Sequence, residues 1–274
     1  MKKTFMAILA MATAITMAQA QVNITVDRDT NHLFATTGPN TVGAGHLQLG
    51  FTAGYLWQRS ASDLTASPTT RYSSSTLGGT ATLRYGLGEH IELSANFGMS
   101  SISAHYASTI NIATPTIDTT GSTYGLGAGF RIKMLQSHTW WMPTVTLGLG
   151  GFMPIVLGTD SSSVTHIFGT AMQMRNHIGK RWAIDYSIGF SLGDGQHPHY
   201  TAWHYGVTAR YLATESLMLG VGFNDGSTQL EASWQATPTL QLNIKGGASG
   251  GLGILSGVGS IKGSATLGVS WMLK

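Results

Sequence analysis

The sequence predicts an all-β protein: a transmembrane antiparallel up-and-down β-barrel of about twelve strands that follows a cleaved signal peptide. Three observations predict this fold class. From residue 44 onward apolar residues recur at every second position, which is the period of a strand with two different faces. Charged residues make up only 10% of the chain, whereas a soluble domain usually devotes about a quarter of its residues to charge. The connections between the alternating segments are alternately short and long, as in outer-membrane barrels.

The N-terminal residues 1–20 have the pattern of a secretory signal peptide. The basic pair Lys2 and Lys3 precedes an apolar run over 5–17, and Ala18-Gln19-Ala20 supplies the small-x-small cleavage pattern. The apolar run is shorter than the ~20 residues that a spanning helix needs. We therefore expect an exported chain whose mature form begins at Gln21. Because the chain has no cysteine, we expect neither disulfides nor a lipid anchor on an N-terminal cysteine.

Residues 21–43 precede the first strand and show no sustained alternation. They are either a disordered periplasmic tail or a plug that enters the barrel. The plug candidates are Asp27, Arg28 and Asp29, because their two carboxylates carry negative charge toward a lumen that we expect to be basic.

The barrel itself should occupy residues 44–274. Alternating segments predict strands at 44–58, 75–86, 90–104, 121–134, 139–152, 163–176, 181–193, 199–212, 216–224, 228–236, 239–247 and 260–273. The short connections are 87–89, 135–138, 177–180, 213–215 and 237–238, and those between them are mostly longer. The exception is Asp225-Gly226-Ser227, a tight turn on the side of the long connections. An even number of strands leaves both termini in the periplasm.

The two faces of these strands distinguish the barrel from a soluble β-sandwich. The polar face of a sandwich meets water and should carry abundant charge, whereas here it consists mainly of Gly, Ser, Thr, Asn and Gln. Aromatic residues cluster near the strand ends, as the interfacial girdles of a membrane barrel require. They are Trp57, Tyr85, Trp140, Trp141, Trp182, Trp203, Tyr205, Tyr211 and Trp271.

The opposite parity predicts which charged residues face the lumen. These are Arg84, Glu92, Arg131, Lys133, Arg175, Asp185, Arg210, Glu231, Lys245 and Lys262. Counting residues across the hairpins pairs Arg84 with Glu92, Asp185 with Arg210 and Glu231 with Lys245. The other four bases have no obvious partner by this count, so the lumen should be mildly anion-favouring. Both parities of 163–176 contain apolar residues, so Arg175 is alternatively a rim residue.

No motif indicates catalysis, a metal or a cofactor. His197-Pro198-His199 with Asp194 is the densest group of potential ligands, and it falls in a polar loop without the spacing of a zinc site. Serine is so abundant that a serine and a histidine would lie near each other by chance, so such a pair is no evidence for catalysis. We therefore predict that the protein is not an enzyme. A net charge of +3 is too small and too scattered for nucleic-acid binding.

Three segments resemble a known family. They are Ile24-Thr25-Val26-Asp27-Arg28, the stretch from Thr41 to Leu49, and Leu83-Arg84-Tyr85-Gly86-Leu87-Gly88-Glu89-His90-Ile91-Glu92-Leu93. They are similar to the T-D-R-P, first-strand and L-R-Y-G-L hairpin elements of the outer-membrane barrel family labelled "MetA-pathway of phenol degradation", whose members are called transporters. Asp29 stands in place of the family's proline, and Gly50 in place of its first-strand glutamate. The resemblance implies a barrel of the outer membrane and a transport role.

Taken together, these features predict a narrow passive channel or transporter for small solutes in the outer membrane of a Gram-negative-type bacterium. The alternative is a non-conducting structural or adhesive barrel, and the third is an outer-membrane barrel enzyme. The expected partners are outer-membrane lipid, lipopolysaccharide, the outer-membrane insertion machinery and a small solute. The last strand resembles the terminal signal that this machinery reads, although the chain ends on Lys274 rather than an aromatic residue.

Overall fold

The fold is described from a computed structural model over residues 41–60, 70–108, 117–136, 140–157, 163–164, 166–194, 200–249 and 260–273. The predicted signal peptide, the plug candidates Asp27, Arg28 and Asp29, and the loop His197-Pro198-His199 lie outside these residues. No helix among the described residues is long and apolar enough to cross a membrane.

In the described part of the chain, twelve long antiparallel strands and one strand of two residues form a single sheet. They are β1 (Leu47–Ser60), β2 (Thr70–Gly86), β3 (Ile91–Ser108), β4 (Ile117–Leu135), β5 (Thr144–Leu157), β6 (Ser163–Val164), β7 (His166–Ile178), β8 (Trp182–Asp194), β9 (Tyr200–Leu212), β10 (Leu217–Asn224), β11 (Ser227–Gln235), β12 (Leu240–Ser249) and β13 (Ser260–Leu273).

Each long strand pairs with its neighbours in the sequence, and the first strand pairs with the last. The β1–β13 ladder runs from Leu47 opposite Leu273 to Ser60 opposite Ser260, and β5 pairs with β7 past the short β6. The sheet therefore closes into a twelve-stranded up-and-down barrel, as the sequence predicts.

Three predicted strands are longer than expected, and a fourth, β5, keeps its predicted length but is shifted by five residues along the chain. β2, β3 and β4 continue for several residues at the end where the long connections lie. β5 begins at Thr144 rather than at 139, so the preceding connection covers 136–143 and not 135–138. Pro143 accounts for the later start, because proline has no N–H to donate to the ladder.

The barrel is apolar outside and polar inside. Outward side chains such as Leu77 (63% exposed) and Leu126 (62% exposed) are bare, whereas Glu92 and Arg175 are fully buried within the wall and lumen. This burial pattern inverts that of a soluble protein, because the outer surface is adapted to lipid. The fold is thus a transmembrane barrel of the outer-membrane type.

Aromatic side chains surround both ends of the barrel. At the end of the short turns, Trp182 packs against Tyr211 with ring centroids 4.7 Å apart. At the other end Phe190 packs against Trp203 at 5.3 Å. The exposed Trp234 belongs to the short-turn girdle, although the sequence count of girdle residues omitted it.

The structure also settles the uncertain parity of β7. Gln173 and Arg175 point inward and Phe168 points outward, with Phe168 59% exposed and Arg175 fully buried. Arg175 is therefore a lumen residue rather than a rim residue. The large outward-facing residues of β7 include Phe168 and two methionines, which suit a lipid contact.

The two sides of the barrel differ in height. β3 has 18 residues, whereas β10 has eight and turns directly into β11 at Asp225 and Gly226. Both turn residues have positive φ (48° and 80°), as a two-residue hairpin turn of type I′ requires. On the tall side the outward positions change from Met99 to Ser101 and Ser103, so this part of the wall extends beyond the apolar belt.

The arrangement predicts which end faces the cell exterior. In outer-membrane barrels the short turns lie in the periplasm and the longer connections outside. We expect tags inserted within the connections 61–69, 109–116 or 158–162 to be labelled by an impermeant reagent on intact cells. Tags in the 87–89 turn should be labelled only after the outer membrane is permeabilised, and the reverse pattern would invert the topology.

Candidate functional site in the barrel lumen

A first ionic cluster lies inside the barrel near the β2–β3 turn. Arg84 donates from Nε and Nη2 to the two carboxylate oxygens of Glu92, each at 2.6 Å. Its Nη1 donates to Gln48 Oε1 at 2.8 Å, and Gln48 Nε2 donates to Ser270 Oγ at 2.7 Å. All four side chains are buried. The pair predicted from the hairpin is thus present as a bidentate ion pair, the strongest geometry for these groups.

The register that forms this pair differs from the predicted one by two residues. Glu92 lies opposite Gly86, and Arg84 lies opposite Ser94. Arg84 therefore reaches diagonally to Glu92, past a residue that has no side chain. The connecting turn is longer than the three residues assumed from the sequence, since β3 begins at Ile91.

The chain segment just before β1 is seated on this cluster. The Val42 N–H donates to Glu92 Oε2 at 2.8 Å, and Thr41 Oγ1 donates to the Glu89 carbonyl at 3.0 Å. Val42 is completely buried. A Cβ on Gly86 would overlap the carbonyl oxygens of Val42 and Gly43. Glycine at position 86 is therefore what allows residues 41–43 to pack against β2 at this end of the barrel.

Arg131 and Lys133 extend the basic surface on β4. Arg131 lies opposite Glu92 in the β3–β4 ladder and donates to Gln173 Oε1 at 2.5 Å. It therefore has a carboxylate beside it, which counting along the sequence missed because the acid lies on the preceding strand. Lys133 is 6% exposed and faces inward, as predicted.

A second ionic cluster joins β7 to β11. Arg175 lies opposite Asp185 and donates to its two carboxylate oxygens at 2.5 and 2.7 Å. Arg210 pairs with Asp185 on one side and with Glu231 on the other. Lys245 stands opposite Glu231 in the β11–β12 ladder. The cluster thus alternates base, acid, base, acid, base across the wall.

The predicted pair of Asp185 with Arg210 is present in this cluster, whereas two other expectations change. Arg175 has Asp185 as its ion-pair partner, although counting residues across the hairpins had assigned no partner to Arg175. Glu231 forms its ion pair with Arg210, and Lys245 only faces it in register. The contact across β10 depends on Gly220, where a Cβ would lie 2.5 Å from Glu231 Cγ.

The remaining predicted lumen base differs from the others. Lys262 has inward parity on β13, opposite Gln58, but it is exposed. It lies toward the long-connection end, away from both ionic clusters.

Between the clusters and the long-connection end the barrel encloses a cavity of about 440 Å³. Its wall includes Arg84, Arg131, Arg210 and Lys245, together with Glu92, Asp185, Asp225 and Glu231. A row of small residues crosses this wall: Ser94, Gly129, Gly150, Gly169 and Ser191 are successive partners in the ladders from β3 to β8. This row, called here the glycine trough, leaves a shallow groove in the lumen surface.

Phe152 borders the glycine trough. It is inward-facing on β5, and its ring covers Gly125 and Gly127, where any Cβ would clash with it. An aromatic side chain inside a polar lumen was not expected from the alternation of the strands, which assigned polar or very small residues to the inward face. The trough therefore has an apolar border on one side and Arg131 with Gln173 on the other.

A further polar group lies at the end of the trough, on β8, β9 and the β10–β11 turn. Ser191 Oγ is 3.0 Å from His204 Nε2, and His204 Nδ1 is 3.1 Å from Asp225 Oδ2. The Tyr205 N–H donates to Asp225 Oδ1 at 2.9 Å. Sequence reasoning missed this group, because its members come from three parts of the wall and only the strand register brings them together.

Solved structures with the same fold are outer-membrane barrels. An outer membrane channel from Pseudomonas putida F1 is 12% identical, with a TM-score of 0.57 over 85% of this chain and 97% of that one. The transport unit of the autotransporter AIDA-I from Escherichia coli is 9% identical, with a TM-score of 0.53 over 82% and 89%. At these identities the likeness establishes the fold alone. No protein-family model matches the chain, and no curated protein does.

Proposed function

We propose that the protein is a passive outer-membrane channel for small solutes, with a lumen that favours anions. The observation that carries this proposal is the excess of bases around the cavity and its short-turn end. Among the described residues, six bases, Arg84, Arg131, Lys133, Arg175, Arg210 and Lys245, face four acids, Glu92, Asp185, Asp225 and Glu231. Because the barrel wall has a low dielectric constant, the uncompensated charge attracts anions and repels cations.

The same proposal includes the cellular context. The outward apolar belt with its girdles, and the likeness to outer-membrane barrels, support an outer-membrane location. The signal peptide over 1–20, the insertion machinery as partner and lipopolysaccharide around the outer rim are parts of this proposal. The P. putida neighbour is named a channel, which agrees with transport. The link to the phenol-degradation barrel family rests on the three sequence segments.

A specific observation favours the alternative, a non-conducting structural barrel. Thr41 and Val42 are seated over the first cluster, and the second cluster spans several neighbouring strands. Both features narrow the short-turn end. Conductance decides between the two functions, because a structural barrel passes no current.

The channel proposal predicts single-channel currents with a chloride-to-potassium permeability ratio above one in planar bilayers. Replacing Arg131 and Lys245 with methionine should lower this ratio toward one. Each acid keeps an ion-pair partner after these changes, since Glu92 retains Arg84 and Glu231 retains Arg210. The matched control is Lys180→Met in the exposed turn between β7 and β8, which should leave the ratio unchanged. An absence of current, or a ratio that does not respond to the double substitution, would contradict the proposal.

A further inference from the structure

The group formed by Ser191, His204 and Asp225 has the atom-to-atom connections of a nucleophilic serine site. In such a site the serine oxygen meets one imidazole nitrogen, and a carboxylate holds the other. Here Oγ of Ser191 meets Nε2 at 3.0 Å, and the Asp225 carboxylate meets Nδ1 at 3.1 Å. Both distances lie within hydrogen-bond range, so no rearrangement is needed to assemble the site.

The Asp225 carboxylate fixes the tautomer of His204. An ionised carboxylate can only accept hydrogen bonds, so Nδ1 of a neutral imidazole carries the proton. Nε2 is then left with its lone pair directed at the Ser191 hydroxyl. Asp225 is itself held in place, because its backbone N–H donates to the Tyr205 carbonyl at 3.0 Å and its Oδ1 accepts from the Tyr205 N–H.

The nucleophile is open to the cavity. Ser191 lies opposite Gly169 and is preceded on the same inward face by Gly189, so no bulky inward side chain covers it from these positions. It forms the end of the glycine trough, and Ser191 and His204 both line the cavity. A small molecule in the trough would thus have its reacting carbon beside the hydroxyl, with Phe152 along its apolar part.

We propose that Ser191, His204 and Asp225 form a serine esterase site that hydrolyses small carboxylic esters inside the lumen. This activity goes beyond transport and departs from the sequence expectation that the protein is not an enzyme. The proposed esterase activity does not depend on anion selectivity, because the site lies closer to the long-connection end than the two ionic clusters do.

The chemistry proceeds in two balanced steps. Ser191 Oγ attacks the ester carbonyl carbon while His204 Nε2 takes the hydroxyl proton. The C–O bond to the alcohol breaks, and the imidazolium returns that proton to the leaving alkoxide, which gives an alcohol and an acyl-Ser191 ester. Water from the lumen then attacks the acyl carbon, His204 takes and returns a proton in the same way, and the carboxylic acid and free serine are released.

Stabilisation of the oxyanion must come from side chains. Most backbone N–H groups of β8 and β9 are engaged in the ladders, so they do not form the usual oxyanion hole. Asn224 and Arg131 line the same cavity, where Asn224 Nδ2 donates to Gln229 Oε1 and Arg131 Nη2 donates to Gln173 Oε1, and the second N–H of each nitrogen is the donor that this proposal assigns to the oxyanion. A site without a backbone oxyanion hole should be slow, so the test uses activated esters and a covalent probe.

The experiment uses the purified full-length barrel in detergent, with p-nitrophenyl acetate as substrate and a biotinylated fluorophosphonate as covalent probe. We expect hydrolysis above the detergent blank, and attachment of the probe to Ser191 by mass spectrometry. Ser191→Ala and His204→Gln should each lower the enzyme-dependent rate by about 100-fold or more. Ser187→Ala is the matched control, because Ser187 lines the same cavity on the same strand, whereas the hydrogen bond of His204 Nε2 goes to Ser191.

Asp225→Asn separates catalysis from a structural role. The amide oxygen of asparagine still accepts from the Tyr205 N–H and retains the turn, but the carboxylate that fixes the tautomer is lost. We expect folding, followed by heat-modifiable gel mobility, to be retained while probe attachment slows about tenfold or more. Absence of labelling in the wild type, or labelling that is unaffected by His204→Gln, would overturn the proposal and leave these residues as a hydrogen-bonded clasp on the β10–β11 turn.

Discussion

Replacing Glu92 with alanine should destabilise the barrel by about 3–5 kcal/mol, the range found when one partner of a buried ion pair is removed. Glu92 is completely buried and accepts from two Arg84 nitrogens and from the Val42 N–H. Its removal leaves Arg84 and the neighbouring Arg131 without that carboxylate in a low-dielectric wall. The loss is measured as the free energy of unfolding in urea with lipid vesicles.

The double variant Arg84→Ala/Glu92→Ala should lose less stability than Glu92→Ala alone, because no unmatched Arg84 charge remains. A double-mutant cycle should therefore give a strong coupling energy between the two residues. Lys262→Met is the control, because Lys262 shares the inward parity but is exposed and should cost within about 0.5 kcal/mol. Additive losses in the cycle would show that the pair does not act as a unit.

Replacing Gly86 with valine should displace residues 41–43 from the mouth of the barrel. Even a Cβ at this position would overlap the carbonyl oxygens of Val42 and Gly43, so the segment has no space to remain where it is. We expect single-channel conductance to rise, because the segment lies over the first ionic cluster.

Deleting residues 22–40, the segment predicted from the sequence to plug the lumen, should also raise conductance and strengthen anion preference.

Gly50→Ala is the matched control for this effect. Gly50 faces the lumen on the neighbouring strand, and a Cβ there would meet its nearest atom, Thr82 Cβ, at an ordinary 3.8 Å. Its conductance should equal that of the wild type. If Gly86→Val folds and conducts like Gly50→Ala, the seated segment does not restrict the pore.

Properties that depend on neighbouring residues in the chain were predictable from the sequence. Alternation alone identified the twelve long strands, the two faces and the inward position of residues such as Glu92 and Lys133. The Arg84–Glu92 pair was also predictable, because only one hairpin turn separates its members. The ends of the strands were harder to predict from the sequence. At Pro143, for example, the missing N–H makes β5 begin several residues later than predicted.

Contacts between strands that are distant in sequence were not predictable. The Arg210–Glu231 ion pair crosses Gly220 on an intervening strand, and two strand registers must be known before it can be inferred. The glycine trough likewise becomes visible only when four ladders are aligned. The group of Ser191, His204 and Asp225 depends on a diagonal contact and on an inward-turned hairpin residue. Serine and histidine are too frequent in this chain for such a group to be recognised beforehand.

The glycine trough makes the barrel unequal in mechanical stiffness. Cross-strand side-chain pairs each stabilise a sheet by about 0.2–1 kcal/mol, and such pairs are missing where Gly129, Gly150 and Gly169 meet in register. The wall is held there by its backbone hydrogen bonds, whereas ion pairs tie β7 to β11 nearer the short-turn end. The cross-section should therefore yield first along the trough when the surrounding bilayer compresses the barrel.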